Sequence, residues 1–256
     1  MARLALHRFG DGRGERLVCA HGVTAFGGHF ADLAARLGPG FDVLAPDLLG
    51  HGDSPHEPPW SIEAHVEALL EITGDGRGTW LGHSFGARLV LEIAARRPEL
   101  VDRLVLLDPA VWLPPHVARF AAENSLGIRT YDSIDHAVER RWSESMLHGA
   151  DRDHVRGELE RHLVERDGLW WYRYEQAAVV TAFGELAAPP PPFTAVRVPT
   201  LIVLGQDSYL SYEHLEDEHR AALGDLLEVV SVPGGHTLLW DAPEATAAAV
   251  ASFLAR

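Results

Sequence analysis

The 256-residue chain contains no lysine: all 22 of its basic residues are arginine, set against 37 aspartates and glutamates for a formal charge of −15. That balance works against phosphate backbones and anionic bilayers, so nucleic acid and membrane surfaces are excluded as expected partners. The missing lysine, beside abundant alanine, reads as the codon bias of a high-GC genome and says little about function. Cysteine is almost absent too. Cys19 stands alone, which rules out an intramolecular disulfide. Its place inside Leu17-Val18-Cys19-Ala20 predicts a small buried residue in a protein of a reducing compartment. No stretch of 18 consecutive apolar residues occurs, so no membrane span is expected. Residues Met1 to Arg8 lack the apolar stretch and cleavage site of a secretory signal, and a cytoplasmic location is the expectation. Metal-ligand spacing is missing as well. Despite 15 histidines there is no H-E-x-x-H and no Cys/His set, and Asp132, Asp135 and His136 read as a helix start, so no metal is expected. No cofactor is expected either: Gly10, Gly12 and Gly14 imitate a dinucleotide fingerprint, but a tight turn before Leu17 follows them where a helix would have to begin.

What is present is alternation. Short, mostly apolar runs recur at Leu4 to Phe9, Leu17 to Ala20, Asp42 to Ala45, Thr79 to Leu81, Leu104 to Leu107, Thr200 to Leu204 and Glu228 to Val232. Between several of them lie segments of helical spacing, such as Phe30, Leu33, Ala34, Leu37 and Ile62, Val66, Leu69, Leu70. Strands alternating with helices imply an α/β fold around a mostly parallel sheet of about seven strands. The rhythm breaks over residues 111–196, which hold no convincing strand run and are too long for a structureless loop. An inserted helical cap is expected there, with residues 1–110 and 197–256 forming the core. Prolines punctuate both ends, at Pro114-Pro115 and Pro189-Pro190-Pro191-Pro192, as stiff hinges or a partner-binding polyproline segment. Inside the insert Trp142, Trp170, Trp171, Tyr172, Tyr174 and Phe183 are concentrated. About half are expected to pack the insert's own core and the remainder to line a hydrophobic pocket.

The chemistry centres on Gly82-His83-Ser84-Phe85-Gly86. A serine framed by two glycines, with the apolar run Gly78-Thr79-Trp80-Leu81 before it and a helical pattern after it, is the sequence form of a nucleophile elbow. Such a turn projects the hydroxyl clear of the sheet, and glycines at its flanks let strand and helix approach. A serine hydroxyl is a poor nucleophile and needs an imidazole oriented by a carboxylate. His236 follows a predicted strand in Val232-Pro233-Gly234-Gly235-His236, in a glycine-loosened loop at the same sheet edge as the elbow. His21, His51 and His83 are assigned structural roles, since the first two precede the elbow and the third is bonded to Ser84 itself.

These motifs together resemble the α/β-hydrolase superfamily, specifically its serine-nucleophile esterase and lipase branch with a helical cap. The matching segments are His21-Gly22, Pro46-Asp47 with Gly50-His51-Gly52-Asp53-Ser54, the elbow, Leu107-Asp108-Pro109, Gly205-Gln206-Asp207, and Gly235-His236 with Asp241 and Pro243 behind it. The resemblance implies a catalytic set of Ser84, His236 and an aspartate, and an oxyanion hole made by the backbone amides of Phe85 and Val23. The acid departs from the commoner family pattern. Ser208 stands where the family usually places a carboxylate, and Asp207 comes one residue early. The stretch looks like a subgroup in which the carboxylate comes from the end of the preceding core strand, where Asp108 stands. Both aspartates lie between Ser84 and His236, so order does not choose between them. Asp108 is preferred, because a one-residue shift at a strand end turns a side chain toward the opposite face. The implied activity is hydrolysis of carboxylic esters of small to medium hydrophobic substrates through an acyl-enzyme. Lactones, thioesters, carbon–carbon bonds, perhydrolysis and a non-catalytic ligand-binding role stand as alternatives.

Overall fold

Strand Gly78–His83 is buried along its whole length, and the rest of the molecule is arranged around it. The computed structural model describes residues 3–74 and 76–256. In chain order its first half comprises β1 (Leu6–Phe9), β2 (Glu15–Ala20), α1 (Ala31–Leu37), β3 (Phe41–Pro46), α2 (Ile62–Thr73), β4 (Gly78–His83), α3 (Phe85–Arg96) and β5 (Val101–Leu107). Then follow α4 (Pro115–Asn124), β6 (Thr130–Tyr131), α5 (Ile134–Glu144), α6 (Arg152–His162), β7 (Leu163–Arg166), β8 (Leu169–Tyr172) and α7 (Gln176–Glu185). The chain closes with β9 (Thr200–Gly205), α8 (Glu213–Leu223), β10 (Leu227–Val232), α9 (Leu238–Asp241) and α10 (Pro243–Leu254).

Seven strands form one sheet in the order β1-β3-β2-β4-β5-β9-β10, parallel except for the antiparallel β1–β3 pair at one edge. All seven apolar runs of the sequence lie in this sheet, and it is an α/β-hydrolase fold. Parallel strands need crossovers, and these place helices on both faces. One face packs Phe85, Leu89 and Ile93 of α3 with Val66 and Leu69 of α2. The other packs Leu33 of α1 with Val250 and Phe253 of α10, and Cys19 is buried there. Helix α2 shows how the local code works. Ser61 caps it by accepting from the Ala64 amide at 3.2 Å, its apolar residues recur at helical spacing, and Gly74 ends it at φ 55°. Among the described residues no helix is long and apolar enough to cross a membrane.

The segment between β5 and β9 departs from the all-helical expectation. It carries α4 to α7 and, in addition, a three-stranded antiparallel sheet in the order β6-β8-β7. The reason is local: Asp167 and Gly168 both adopt positive φ (52° and 78°) just before the aromatic run Leu169–Tyr172, the chemistry of a two-residue hairpin turn. Tyr131, Val138, Val155, Leu159 and Tyr172 give this segment an apolar core of its own, which also takes in Trp240 of α9. Both junctions with the sheet are held by Arg88 of α3. Its buried guanidinium donates to the Val111 carbonyl at 2.6 Å on one side, and to Ala188 and Pro189 at 3.0 and 2.9 Å on the other. The tetraproline thus begins at a residue anchored to the body of the molecule.

Candidate active site

Ser84 leaves the end of β4 at φ 54°, ψ −118°, a conformation that L-residues avoid and that the surrounding sheet must enforce. Enforcement comes from its neighbours. Its amide donates to the Leu107 carbonyl at 3.1 Å, and its carbonyl accepts from Ala87 and Ala110 at 3.0 and 3.1 Å. The glycine frame is steric: a Cβ on Gly82 would strike the Gly86 carbonyl, and one on Gly86 the Ala20 carbonyl. Strand and helix therefore close up only because both are glycine.

The side chains that the turn presents form a continuous line. Ser84 Oγ lies 3.0 Å from His236 Nε2, and His236 Nδ1 lies 2.6 Å from Asp108 Oδ2. With the proton on Nδ1 donating to the carboxylate, Nε2 is left to accept the serine proton. Asp108 follows β5 at φ 38°. Its Oδ1 accepts from the Gly205 amide at 2.9 Å, and its Oδ2 also accepts from the Ser208 hydroxyl at 2.5 Å. Ser208, at the position where the family pattern expects the acid, thus serves the carboxylate that replaces it. Asp207 is not brought to His236: its side chain is exposed, and its amide donates to the Gly234 carbonyl at 2.9 Å.

Phe85 follows Ser84 in the chain and Val23 shares the cavity wall with it, and among the described residues no hydrogen-bond acceptor is found for either amide. Val23 is held by a buried histidine pair. His21 Nδ1–H donates to the Gly22 carbonyl at 2.8 Å while its Nε2 accepts from the Leu48 amide at 2.9 Å, and His51 Nε2 contacts the Val23 carbonyl. His83 Nε2 bonds the His236 carbonyl at 2.9 Å. Burial holds all three imidazoles below their ordinary pKa, so they are neutral props.

Two connections escape sequence reasoning. Asp241 of α9 accepts from the Gly235 amide at 2.8 Å through Oδ2, and from His148 and Gly149 at 2.8 and 3.0 Å through Oδ1. It ties the loop bearing His236 to the segment inserted after β5. Glu158 of α6 is buried between His29 at 2.6 Å and His154 at 3.2 Å. Burial drives its carboxyl upward, yet these imidazoles prevail and bring it down to about 2. A signal for Glu158 exists: Val155, Glu158, Leu159 and His162 share one buried helical stripe, and a charge on such a stripe is seldom idle.

Ser84, His236 and Val23 open into a cavity of about 210 Å³ whose wall includes Phe26, Tyr209 and Trp240. Of the six aromatics singled out in the insert, Phe183 alone reaches this wall. Tyr172 belongs to the insert's own core, with Trp142, Trp170 and Tyr174 packed against it. The helix start expected near Asp132 to His136 is present, Ser133 capping α5 by accepting from the His136 amide.

Residues 15–129 match the α/β hydrolase fold family. Lipase LipV of Mycobacterium tuberculosis is 36% identical over 98% of this chain and 97% of its own. The 2-(acetamidomethylene)succinate hydrolase of Mesorhizobium japonicum is 30% identical over 99% of this chain and 93% of its own. A crystal structure of E-2-(acetamidomethylene)succinate hydrolase superposes with a TM-score of 0.86 at 25% identity, covering 99% of this chain and 95% of that one. With relatives of this identity along its full length, a seven-stranded sheet and a serine elbow, the chain belongs to the α/β-hydrolase family and is a hydrolase.

Proposed function

We propose that the protein is a serine hydrolase that cleaves carboxylic esters of small to medium, partly apolar substrates through an acyl-enzyme. The observation that carries this reading is the unbroken line from Ser84 Oγ through His236 to Asp108, opening into a cavity of about 210 Å³. Ser84 Oγ attacks the ester carbonyl carbon as its proton passes to His236 Nε2, and Asp108 holds the imidazole in the required tautomer and supports its charge. The Val23 and Phe85 amides take the negative charge that develops on the carbonyl oxygen. Collapse expels the alcohol, which receives the proton from His236. A water then attacks the acyl carbon with His236 as base, releasing the acid and restoring Ser84. Residues 111–196 act as a cap that completes the cavity, with 1–110 and 197–256 as the catalytic core.

Chromogenic acyl esters of graded chain length test the reading. Turnover with short to medium chains is expected, together with fluorophosphonate labelling that is abolished in Ser84→Ala. Absence of both turnover and labelling overturns it. A second reading, cleavage of another acyl bond on the same machinery, draws support from the relative named as a 2-(acetamidomethylene)succinate hydrolase. Parallel amide, lactone and thioester substrates discriminate between the two by kcat/KM.

A further inference from the structure

Among the described residues no carboxylate lies within ion-pair distance of Arg141 of α5, which stands in the wall of the cavity that holds Ser84 and His236, as do Glu144 and Glu158. It is 7% exposed, and among the described residues its Nε has no hydrogen-bond partner. Among the described residues its one side-chain hydrogen bond reaches Ser145 Oγ at 3.2 Å. The nearby carboxylates are engaged elsewhere. Glu144 binds Arg140 at 2.9 Å and Arg129 at 3.6 Å, while Glu158 binds His29 and His154. What Arg141 does have is two ring faces, Tyr172 at 5.1 Å and Trp240 at 5.5 Å from the guanidinium carbon.

A guanidinium does not shed its proton in a protein, so its charge persists inside the cavity. Ring faces return only a part of the hydration lost by a buried cation, and an anion on the open fork restores the rest. The overall charge of −15 repels anionic molecules in general, which makes a cation in the wall of this cavity a selective feature. A carboxylate matches the planar fork with two parallel hydrogen bonds.

We propose that the substrate is an ester that also bears a carboxylate, such as the half-ester of a short dicarboxylic acid. Its carboxylate pairs with Arg141 while its ester carbonyl sits at Ser84. This rests on the serine-hydrolase reading and narrows its substrate class. A cavity of about 210 Å³ suits a short span between the two groups.

The test compares monomethyl glutarate with dimethyl glutarate, which present the same reacting ester with and without the charge. Wild type is expected to favour the monoester by at least about tenfold in kcat/KM, the scale of one charge-assisted contact. In Arg141→Met that ratio is expected to fall by about tenfold, mainly through KM, and Arg141→Lys to recover part of it. Preference of wild type for the diester, or an unchanged ratio in Arg141→Met, overturns the proposal. Calorimetric titration with glutarate supplies a readout independent of turnover: binding to wild type that weakens about tenfold or more in Arg141→Met supports the site, and no binding to wild type overturns it. Loss of the serine-hydrolase reading is distinguished by fluorophosphonate failing to label Ser84, an outcome on which the glutarate titration still decides the role of Arg141.

Discussion

Asp108 receives three donors, from Gly205, Ser208 and His236, so its charge and direction are set before any substrate arrives. In the proposed mechanism Asp108→Asn removes the acceptor that selects the His236 tautomer. The expected loss in kcat is about 10³-fold or more with folding retained, whereas Asp207→Asn keeps near-native kcat. Near-native kcat for a folded Asp108→Asn would overturn the assignment. Ser208→Ala is subtler. It takes away one donor and leaves the carboxylate otherwise held, so kcat is expected to drop by about tenfold, with KM little changed. The serine and the histidine were legible from local chemistry, because the glycine frame and the loose loop after a strand are written in adjacent residues. The carboxylate that meets His236 was legible only as a preference: two aspartates satisfy the same order along the chain, and the facing of a strand end, on which Asp108 is preferred, depends on the sheet rather than on adjacent residues.

Among the elements, the sheet was legible, since most of its strands are short apolar runs next to a helical pattern. The hairpin of β7 and β8 was not, although Asp167-Gly168 is a turn dipeptide, because Leu163-Val164-Glu165-Arg166 and Leu169-Trp170-Trp171-Tyr172 lack apolar–polar alternation. Arg141 likewise hides in plain view, on the buried stripe of α5 with Ala137 and Val138. How the inserted segment is coupled to the sheet depends on contacts remote in sequence, and Asp241 is the most consequential. Its carboxylate joins the Gly235 amide to those of His148 and Gly149. Asp241→Ala leaves these donors without their acceptor and frees the loop that aims His236. Stability is expected to fall by about 2 kcal/mol or more, and kcat on a neutral ester to fall with it. Asp241→Asn, which retains one acceptor oxygen, recovers part of both. Thermal unfolding and steady-state kinetics on the same samples check this, and unchanged kcat in Asp241→Ala would reduce the residue to a purely structural tie.

At the scale of the whole molecule, the histidines set a pH limit. Burial holds His21, His51, His65, His83, His162 and His219 below the ordinary imidazole pKa, with His65, His162 and His219 pushed down to about 3. Above the unfolded value of about 6.5 both states are neutral and these groups have no effect on stability. As pH falls from there toward 3, the unfolded chain binds protons that the folded one refuses, so stability declines. By pH 5.5 the three strongly shifted groups together account for a loss of roughly 4 kcal/mol. That is a large share of the roughly 5–15 kcal/mol by which domains are stable. His154, raised by the Glu158 carboxylate beside it, has the opposite sign and offsets a little of this. Glu158, held at about 2, adds to the loss only below about pH 4.5. The urea midpoint is therefore expected to drop markedly between pH 7.5 and 5.5, and a constant midpoint would contradict the account. His65 isolates one contribution. It lies edge-on to Phe85 at 5.5 Å, its Nδ1 has no partner among the described residues, and it stands apart from the cavity wall. His65→Leu removes one refused proton, so its stability should fall less steeply over the same interval, by roughly 1 kcal/mol, whatever its stability at pH 7.5.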